Sequence, residues 1–184
     1  MNNVIETIKN RRSIRRFTEE QIQDTHLNAI LEAGIFAPTG HNDQPWHFTV
    51  IQSKDMLNYI STKTKEFMAK SEEEWISAMG KSERLHLFYN APTVIIVSGR
   101  ENSYSPLIDC SAATENMAIA AESLNIGSVW VGLVNHFFEH KEEVSKLNIP
   151  EGYVPYYALC IGYKNMSKPV KTPERKRDVI NYIK

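Results

Sequence analysis

The residues most clearly suited to binding or chemistry form a cluster of arginines near the amino terminus. Arg11, Arg12, Arg15 and Arg16 lie within six residues, in the stretch "IKNRRSIRRF". An arginine side chain offers a planar fork of N–H donors that suits a phosphate group, and Ser13 adds a hydroxyl donor inside the cluster. A solvated charged surface is the other interpretation of such a run. We interpret the cluster as a binding site for an anion, because like charges repel one another when no anion neutralises them.

The overall charge of the chain limits what that anion can be. Lys and Arg total 21 and Asp and Glu total 22, which gives a formal net charge of −1. Proteins that bind nucleic acids or membrane surfaces through charge usually carry a basic excess over a whole face. The balanced composition therefore argues against a nucleic-acid or membrane partner and favours a small anionic ligand such as a phosphate monoester. A second basic cluster, Arg175, Lys176 and Arg177, is a candidate for the same ligand.

Other chemical motifs fail on a required residue. The stretch "WISAMGKS" ends like a phosphate-binding P-loop, but Trp75 occupies the position of the first glycine. The stretch "HFFEH" places His136 and His140 four residues apart, yet Phe137 stands where zinc hydrolases have a catalytic Glu. No serine-hydrolase elbow and no dinucleotide-binding glycine pattern occurs. The sequence therefore predicts no metal site and no catalytic nucleophile or acid–base pair among the side chains.

The length and composition predict a single globular domain over residues 1–184, with 42% hydrophobic residues to form its core. The sequence has no apolar run near the roughly 20 residues that a membrane span needs. Its amino-terminal stretch lacks the basic and apolar regions of a signal peptide, so we expect a cytoplasmic protein. Cys110 and Cys160 stand fifty positions apart, which argues against a disulfide framework.

The elements around the basic cluster follow from the hydrophobic pattern. The first residues place apolar side chains on one helical face, so a short helix leads into the cluster. After the cluster, Thr18 and Gln21 fit a capping box, which predicts a helix over residues 19–33 that ends at Gly34. The loop over residues 37–46 is rich in Pro, Gly, Asn and Asp, and we expect a strand to follow it.

The remainder of the sequence predicts two further helices, three more strands and a variable segment. A helix of about 20 residues from Pro106 is rich in small residues, which is typical of a helix packed on several sides. The stretch "APTVIIVSG" is a nearly continuous apolar run, as in a buried strand, and "SVWVGLV" and "VPYYALCIGY" predict two more strands. The stretch "EEEWISAMGKSERLHLFYN" mixes charge with Trp75, Met79 and Phe88, and we interpret it as a surface lid.

Four stretches together resemble the FMN-dependent nitroreductase family. They are "RRSIRRF", "APTGHNDQPWHF", "DCSAATENMAIAAESLNIGSVWVG" and "ALCIGY", in the order and at spacings similar to those of the family. The resemblance covers nearly the whole chain. It implies an α+β fold in which a central, mostly antiparallel sheet is wrapped by helices. It also implies an intertwined homodimer that holds two FMN molecules at its interface.

The resemblance assigns roles to individual residues. Arg11 and Ser13 would hold the FMN phosphate, and Arg12 would line the same turn. Arg15 would lie near the pyrimidine edge of the flavin, where positive charge favours the anionic reduced ring, and Arg16 would remain a surface charge. A loop from the other subunit, with Pro38, Thr39, Gly40 and Asn42, would approach the flavin. The backbone of Val131, Gly132 and Leu133 would run beside the ring. The carboxy-terminal cluster Arg175, Lys176 and Arg177 would add contacts to the phosphate.

The resemblance also implies a function. The family places a variable cover over the flavin in the region of the predicted lid, so Trp75, Met79 and Phe88 are expected to line the substrate pocket. The implied activity is an NAD(P)H-dependent reduction by a ping-pong mechanism, in which reduced nicotinamide donates hydride to FMN and leaves before the acceptor binds. Acceptors would be flat and electron-poor, such as nitroaromatics, quinones or flavins.

Alternatives remain open at this point. The same fold supports dehalogenation, flavin breakdown and dehydrogenation, and a flavin-binding protein with little turnover is a further possibility. A basic nucleic-acid module belongs to a different class, and its binding would weaken steeply with salt.

Overall fold

The structure is a computed structural model that describes residues 2–168 and 170–184. This part of the chain contains seven α-helices and four β-strands. The helices are α1 (Asn3–Asn10), α2 (Asp24–Ile35), α3 (Lys54–Met68), α4 (Glu74–Lys81), α5 (Pro106–Ser123), α6 (Asn135–Phe138) and α7 (Lys141–Val144). The strands are β1 (Trp46–Ile51), β2 (Thr93–Arg100), β3 (Ile126–Val131) and β4 (Tyr153–Tyr163).

The four strands form one sheet in the order β1-β2-β4-β3, and every neighbouring pair is antiparallel. β2 lies inside the sheet, and each of its residues from Thr93 to Gly99 is buried. Burial on both faces explains why the sequence of β2 is a nearly continuous apolar run. The predicted α+β fold, with an antiparallel sheet between helices, is confirmed.

Helices cover both faces of the sheet. Because side chains alternate along a strand, Val94 and Ile96 of β2 pack in one core while Ile95 and Val97 pack in the other. The first core lies against α3, α4 and α6, and the second lies against α2 and α5. Large contributors to the first core are Leu57, Ile60, Met68, Phe88 and Phe137, and those to the second are Leu27, Ile30 and Met117.

α5 is the central helix of the second layer, as its small residues predict. It contacts α1, α2 and all four strands. The approach of α2 is close at Gly34, where an added Cβ would lie 2.9 Å from Cγ of Met117. Gly34 is therefore a packing residue inside α2, which continues to Ile35, and the prediction that Gly34 ends this helix is wrong.

The predicted start of α2 is also wrong. α2 begins at Asp24, and the capping box assigned to Thr18 and Gln21 does not form. Thr18 instead donates its backbone N–H to the carbonyl oxygen of Tyr163 at the end of β4, at 3.0 Å. The Gln21 side chain donates to the carbonyl oxygen of Pro92 at 2.7 Å. These long-range hydrogen bonds hold the segment against the sheet and override a local helix signal.

The segment predicted as a lid is a helix followed by a loop that enters the core. α4 packs on α3 so closely that a Cβ at Gly80 would lie 2.3 Å from the backbone nitrogen of Ala69. Gly80, the glycine of "AMGKS", therefore allows α3 and α4 to pack closely. Beyond α4, Leu87 and Phe88 are 2% and 0% exposed.

Candidate functional site

The basic cluster lies on an extended segment, residues 11–17, which leaves α1 and runs beside β3. Ile14 and Phe17 are buried and anchor this basic segment, and the Ile14 N–H donates to the carbonyl oxygen of Ser128 at 2.9 Å. Gly127 permits the close approach, because a Cβ there would lie 2.8 Å from Cγ2 of Ile14. The exposed side chains of the basic segment are those of Ser13, Arg15 and Arg16.

Arg11 is held by an ion pair with α5. Its Nε lies 3.1 Å from Oε1 of Glu115, and the two side chains are 26% and 45% exposed. In the part of the chain that the structure describes, the guanidinium of Arg11 donates to no other protein atom. Its two Nη groups are therefore available to an anion, as a phosphate ligand requires.

Arg12 is occupied by the protein itself. Its Nη1 donates to the carbonyl oxygens of Lys9 and Arg11, both at 2.6 Å, and its Nη2 donates to the hydroxyl of Thr172. Arginine near the end of a helix satisfies carbonyl groups that have no partner within the helix. Arg12 thus stabilises the turn after α1 and fastens the carboxy-terminal segment. Its Nε is buried without a hydrogen-bond partner among the described residues, and the predicted place of Arg12 in the turn around the phosphate stays a prediction.

Arg15 and Arg16 line one cleft of about 340 Å³ beside β3. Ser13 lies on the same cleft, and its other wall is formed by the carboxy-terminal residues Met166, Ser167, Lys168 and Val170. The guanidinium carbon of Arg15 lies 5.7 Å from the centre of the Tyr89 ring, within the range of a cation–π contact. Cations and hydroxyl donors therefore converge on this cleft, as an anionic ligand requires.

Among the residues that the structure describes, no hydrogen bond or ion pair joins the carboxy-terminal basic cluster to the basic segment. Residues 170–184 are exposed and contain no helix or strand. Among the described residues, the hydrogen bond from Arg12 to Thr172 ties this tail to the amino-terminal turn. The role predicted for Arg175, Lys176 and Arg177 stays a prediction.

The loop over residues 37–46 is clamped to the start of α5. The Gly40 N–H donates to Oδ2 of Asp109 at 3.3 Å, and the Ser105 hydroxyl donates to Oδ1 of the same carboxylate at 2.9 Å. Asp43 accepts the Tyr104 N–H at 3.1 Å. No hydrogen bond, ion pair or ring contact joins this loop to the basic segment among the residues that the structure describes. The predicted contact of Pro38, Thr39, Gly40 and Asn42 with a flavin stays a prediction.

The backbone after β3 is open to solvent. Gly132 is exposed, and a Cβ at this position would meet no atom within 4 Å. Val131 before it is buried at 6% exposure, and Leu133 after it is partly buried. A flat ring could approach this backbone closely, which fits the placement predicted for these three residues.

The predicted pocket residues separate in the structure. Trp75 is 56% exposed, and its Nε1 donates to Oε2 of Glu73 at 2.8 Å. Met79 is partly buried against the first core. Phe88 is fully buried in that core, so its expected place in a substrate pocket is corrected. The next residue, Tyr89, is the aromatic side chain that reaches the basic segment.

The described residues include no group of three or more His, Cys, Asp or Glu side chains that could hold a metal ion. Both cysteines are buried, and burial raises the pKa of the Cys110 thiol to about 12 and raises the pKa of Cys160 as well. Neither thiol is therefore a ready nucleophile near neutral pH. None of the described helices combines the length and apolar character that crossing a bilayer takes. The expected cytoplasmic location stays a prediction.

Known proteins resemble this chain over nearly its whole length. Residues 8–163 match the family model described as Nitroreductase family. A putative NADH dehydrogenase/NAD(P)H nitroreductase of Archaeoglobus fulgidus is 34% identical over 173 residues, which cover 91% of this chain and 89% of that protein.

Solved structures share the fold. The crystal structure of a nitroreductase with bound FMN from Bacteroides fragilis is 35% identical, with a TM-score of 0.93 and coverage of 100% of both chains. A nitroreductase with bound FMN from Desulfitobacterium hafniense is 31% identical, with a TM-score of 0.87 and the same coverage. The arrangement of sheet and helices described above is therefore that of these proteins.

Proposed function

Because the chain belongs to the nitroreductase family, we propose that it is an FMN-dependent oxidoreductase that takes hydride from NAD(P)H. The observation that carries this proposal is the basic segment, where Arg11 and Arg15 keep unused N–H donors on either side of the exposed Ser13 hydroxyl. FMN bound to two relatives of the same fold supports it.

The described residues fit FMN at three places. Arg11 and Ser13 would bind the phosphate, and Arg15 would lie at the pyrimidine edge of the ring. The space beside Gly132 would admit the flat ring against the backbone, because no atom lies within 4 Å of a Cβ built there. Arg175, Lys176 or Arg177 would complete the phosphate site.

We also propose that the protein acts as a homodimer. Large apolar side chains are exposed on α1, at the end of α2 and on α5, among them Val4 at 60%, Phe36 directly after α2 at 78%, and Ile108 at 72%. A groove of about 450 Å³ between these helices is lined largely by apolar groups, including Val4 and Phe36. Such a patch is typical of a protein interface. A partner on this surface would bring residues 38–42 of one protomer to the flavin of the other. Sedimentation that shows a stable, FMN-loaded monomer at micromolar concentration would contradict this assembly.

FMN would supply the redox chemistry, accepting hydride from nicotinamide and passing two electrons to an acceptor. The residues of the chain would bind and orient FMN and the substrates, and they would exclude water from the site. Reduced nicotinamide would dock on the open side of the site, give up its hydride and leave, and a flat, electron-poor acceptor would then take its place. No thiol of the chain is suited to nucleophilic attack, because burial raises the pKa of Cys110 to about 12. Steady NAD(P)H oxidation with a nitroaromatic or quinone acceptor would distinguish this activity from mere flavin binding.

The test of cofactor binding is the double variant Arg11→Ala with Arg15→Ala. Each hydrogen bond to a charged group contributes about 1.5–3 kcal/mol, and a tenfold change in affinity is about 1.4 kcal/mol. We expect the double variant to bind FMN at least about a hundredfold more weakly in a fluorescence titration. Arg84→Ala, which removes an exposed arginine from the loop after α4, is the control and keeps its flavin. A double variant that purifies with full flavin would contradict the assignment of Arg11 to the phosphate and of Arg15 to the ring.

A further inference from the structure

The loop after α4 ends in an unusual turn where it meets the basic segment. Tyr89 and Asn90 both have positive φ angles, 55° and 54°, in the left-handed region. Asn tolerates this region, whereas an aromatic residue is rarely found there. Such a conformation persists only where the surrounding structure enforces it.

The surroundings of this turn enforce it through His86 and Phe88. Nδ1 of His86 accepts the N–H groups of Phe88 and Asn90, both at 3.2 Å, and the Ala91 N–H donates to the carbonyl oxygen of Phe88 at 2.9 Å. Burial, together with the nearby Lys65, lowers the pKa of His86 and so favours its neutral form. Nε2 lies 3.2 Å from Oδ1 of Asn58, a contact that suits a proton on Nε2 and leaves Nδ1 as the acceptor. Phe88 is fully buried and fixes the turn to the core.

The turn delivers the Tyr89 ring to Arg15. With Phe88 pointing into the core, the left-handed conformation of the next residue directs its side chain toward the basic segment, where the guanidinium carbon of Arg15 lies 5.7 Å from the ring centre. Among the residues that the structure describes, Arg15 has no hydrogen bond or ion pair, and the Tyr89 ring is the aromatic partner of its guanidinium.

An aromatic ring holds a guanidinium in a way that suits a ligand-binding arginine. It attracts the cation through the face of its π system. Unlike a carboxylate, it neither cancels the charge nor occupies the planar fork of N–H donors. Arg15 is therefore both placed and left free to act on a bound molecule.

We propose that Tyr89 is a positioning residue that holds Arg15 at the pyrimidine edge of FMN and so strengthens the site's preference for an anionic flavin. This inference rests on the proposed function, since it assumes that FMN occupies the site. It assigns a task to a tyrosine whose side chain is only partly buried and whose backbone conformation is strained.

Sulfite is the probe of choice, because its adduct with FMN carries the relevant charge. Sulfite uses its sulfur lone pair to form a bond to N5 of oxidised flavin, and the displaced electron pair leaves a negative charge on the pyrimidine half of the ring. No further reductant is needed. Loss of the flavin absorbance band gives the dissociation constant of sulfite without any measurement of turnover.

The variants distinguish the effect of the Tyr89 ring from the effect of the backbone conformation at this position. Tyr89→Asn removes the ring but accepts a positive φ, and we expect it to weaken sulfite binding roughly three- to tenfold. Tyr89→Phe keeps the ring and stays within about twofold of wild type. Arg15→Gln weakens sulfite binding by about tenfold or more, and adding Tyr89→Asn to it has no further effect.

Each result decides the matter. An FMN-loaded Tyr89→Asn variant with the wild-type sulfite dissociation constant overturns the inference, while its bound flavin leaves the proposed function intact. An equal loss on adding Tyr89→Asn to Arg15→Gln also overturns it, because the tyrosine would then act without Arg15. A wild-type protein that binds no FMN overturns the inference and the proposed function together. Tyr89→Gly, which also accepts a positive φ, replaces Tyr89→Asn if that variant does not fold.

Discussion

Asp109→Ala should loosen the loop over residues 37–46 by a measurable amount. The Asp109 side chain is 4% exposed, and its two oxygens accept the Gly40 N–H at 3.3 Å and the Ser105 hydroxyl at 2.9 Å. A hydrogen bond to a charged group contributes about 1.5–3 kcal/mol. The bond from Gly40 is long, so we take the lower bound for each and expect a loss of about 3 kcal/mol. For a chain of this length that lowers Tm by about 6–12 °C.

The assay is thermal unfolding of the flavin-free protein at one fixed concentration, because assembly makes Tm depend on concentration. Asp109→Asn keeps one acceptor oxygen and should lose about half as much stability. Asp178→Ala removes the same charge from the exposed tail and serves as the control. The loop also carries residues proposed to contact the partner's flavin, so Asp109→Ala should bind FMN more weakly. A Tm for Asp109→Ala within about 2 °C of wild type would refute the clamp.

Three further predictions follow from single positions. Gly132→Ala should leave the flavin-free protein unchanged within about 0.5 kcal/mol, because no atom lies within 4 Å of the new Cβ. If FMN fills that space, overpacking of about 1–3 kcal/mol should weaken FMN binding about tenfold, and equal FMN affinity would contradict the placement. The folded state holds the pKa of His86 below its ordinary value of 6.5, so the unfolded chain binds the proton first. Stability from this residue is complete above pH 6.5 and is lost as the pH falls, by at most about 1.4 kcal/mol per pH unit. Denaturant unfolding of His86→Asn should show a flatter pH profile, and parallel profiles would exclude this role. Trp75→Ala should change the ratio of rates toward small and large acceptors with flavin content intact, whereas equal losses toward all acceptors would show that Trp75 is not in the pocket.

Elements that depend on hydrophobic periodicity could be predicted from the sequence. The apolar run of β2 and the small residues of α5 indicate buried elements whatever their partners are, and both lie in the centre of the fold. The start of α2 could not be predicted in this way. Its local capping signal at Thr18 competes with a hydrogen bond to Tyr163, which is distant in sequence and follows from the tertiary fold.

In the candidate site, too, some residues are evident from a local sequence motif and others are brought together only by the tertiary fold. The arginines and Ser13 are visible as a motif, whereas Glu115 and Asp109 are single acidic residues in an Ala-rich helix. Their partners Arg11 and Gly40 lie 104 and 69 positions away, so no spacing pattern links them. Phe88 and Tyr89 are adjacent aromatic residues at a turn with two positive φ angles. Because the backbone is irregular there, hydrophobic periodicity does not predict which of the two side chains is buried.

The two arginines beside Ser13 are held by different kinds of partner, and the difference matches the ligand groups proposed for them. Glu115 balances part of the charge of Arg11 in the free protein. A phosphate monoester brings nearly two negative charges at neutral pH, so it can compete for the remaining donors of Arg11. The pyrimidine edge of a reduced flavin carries at most one negative charge, spread over several atoms, and it therefore needs a cation that nothing else neutralises. A carboxylate at position 89 could hold Arg15 as firmly as the Tyr89 ring does, but it would cancel the charge on which that preference depends.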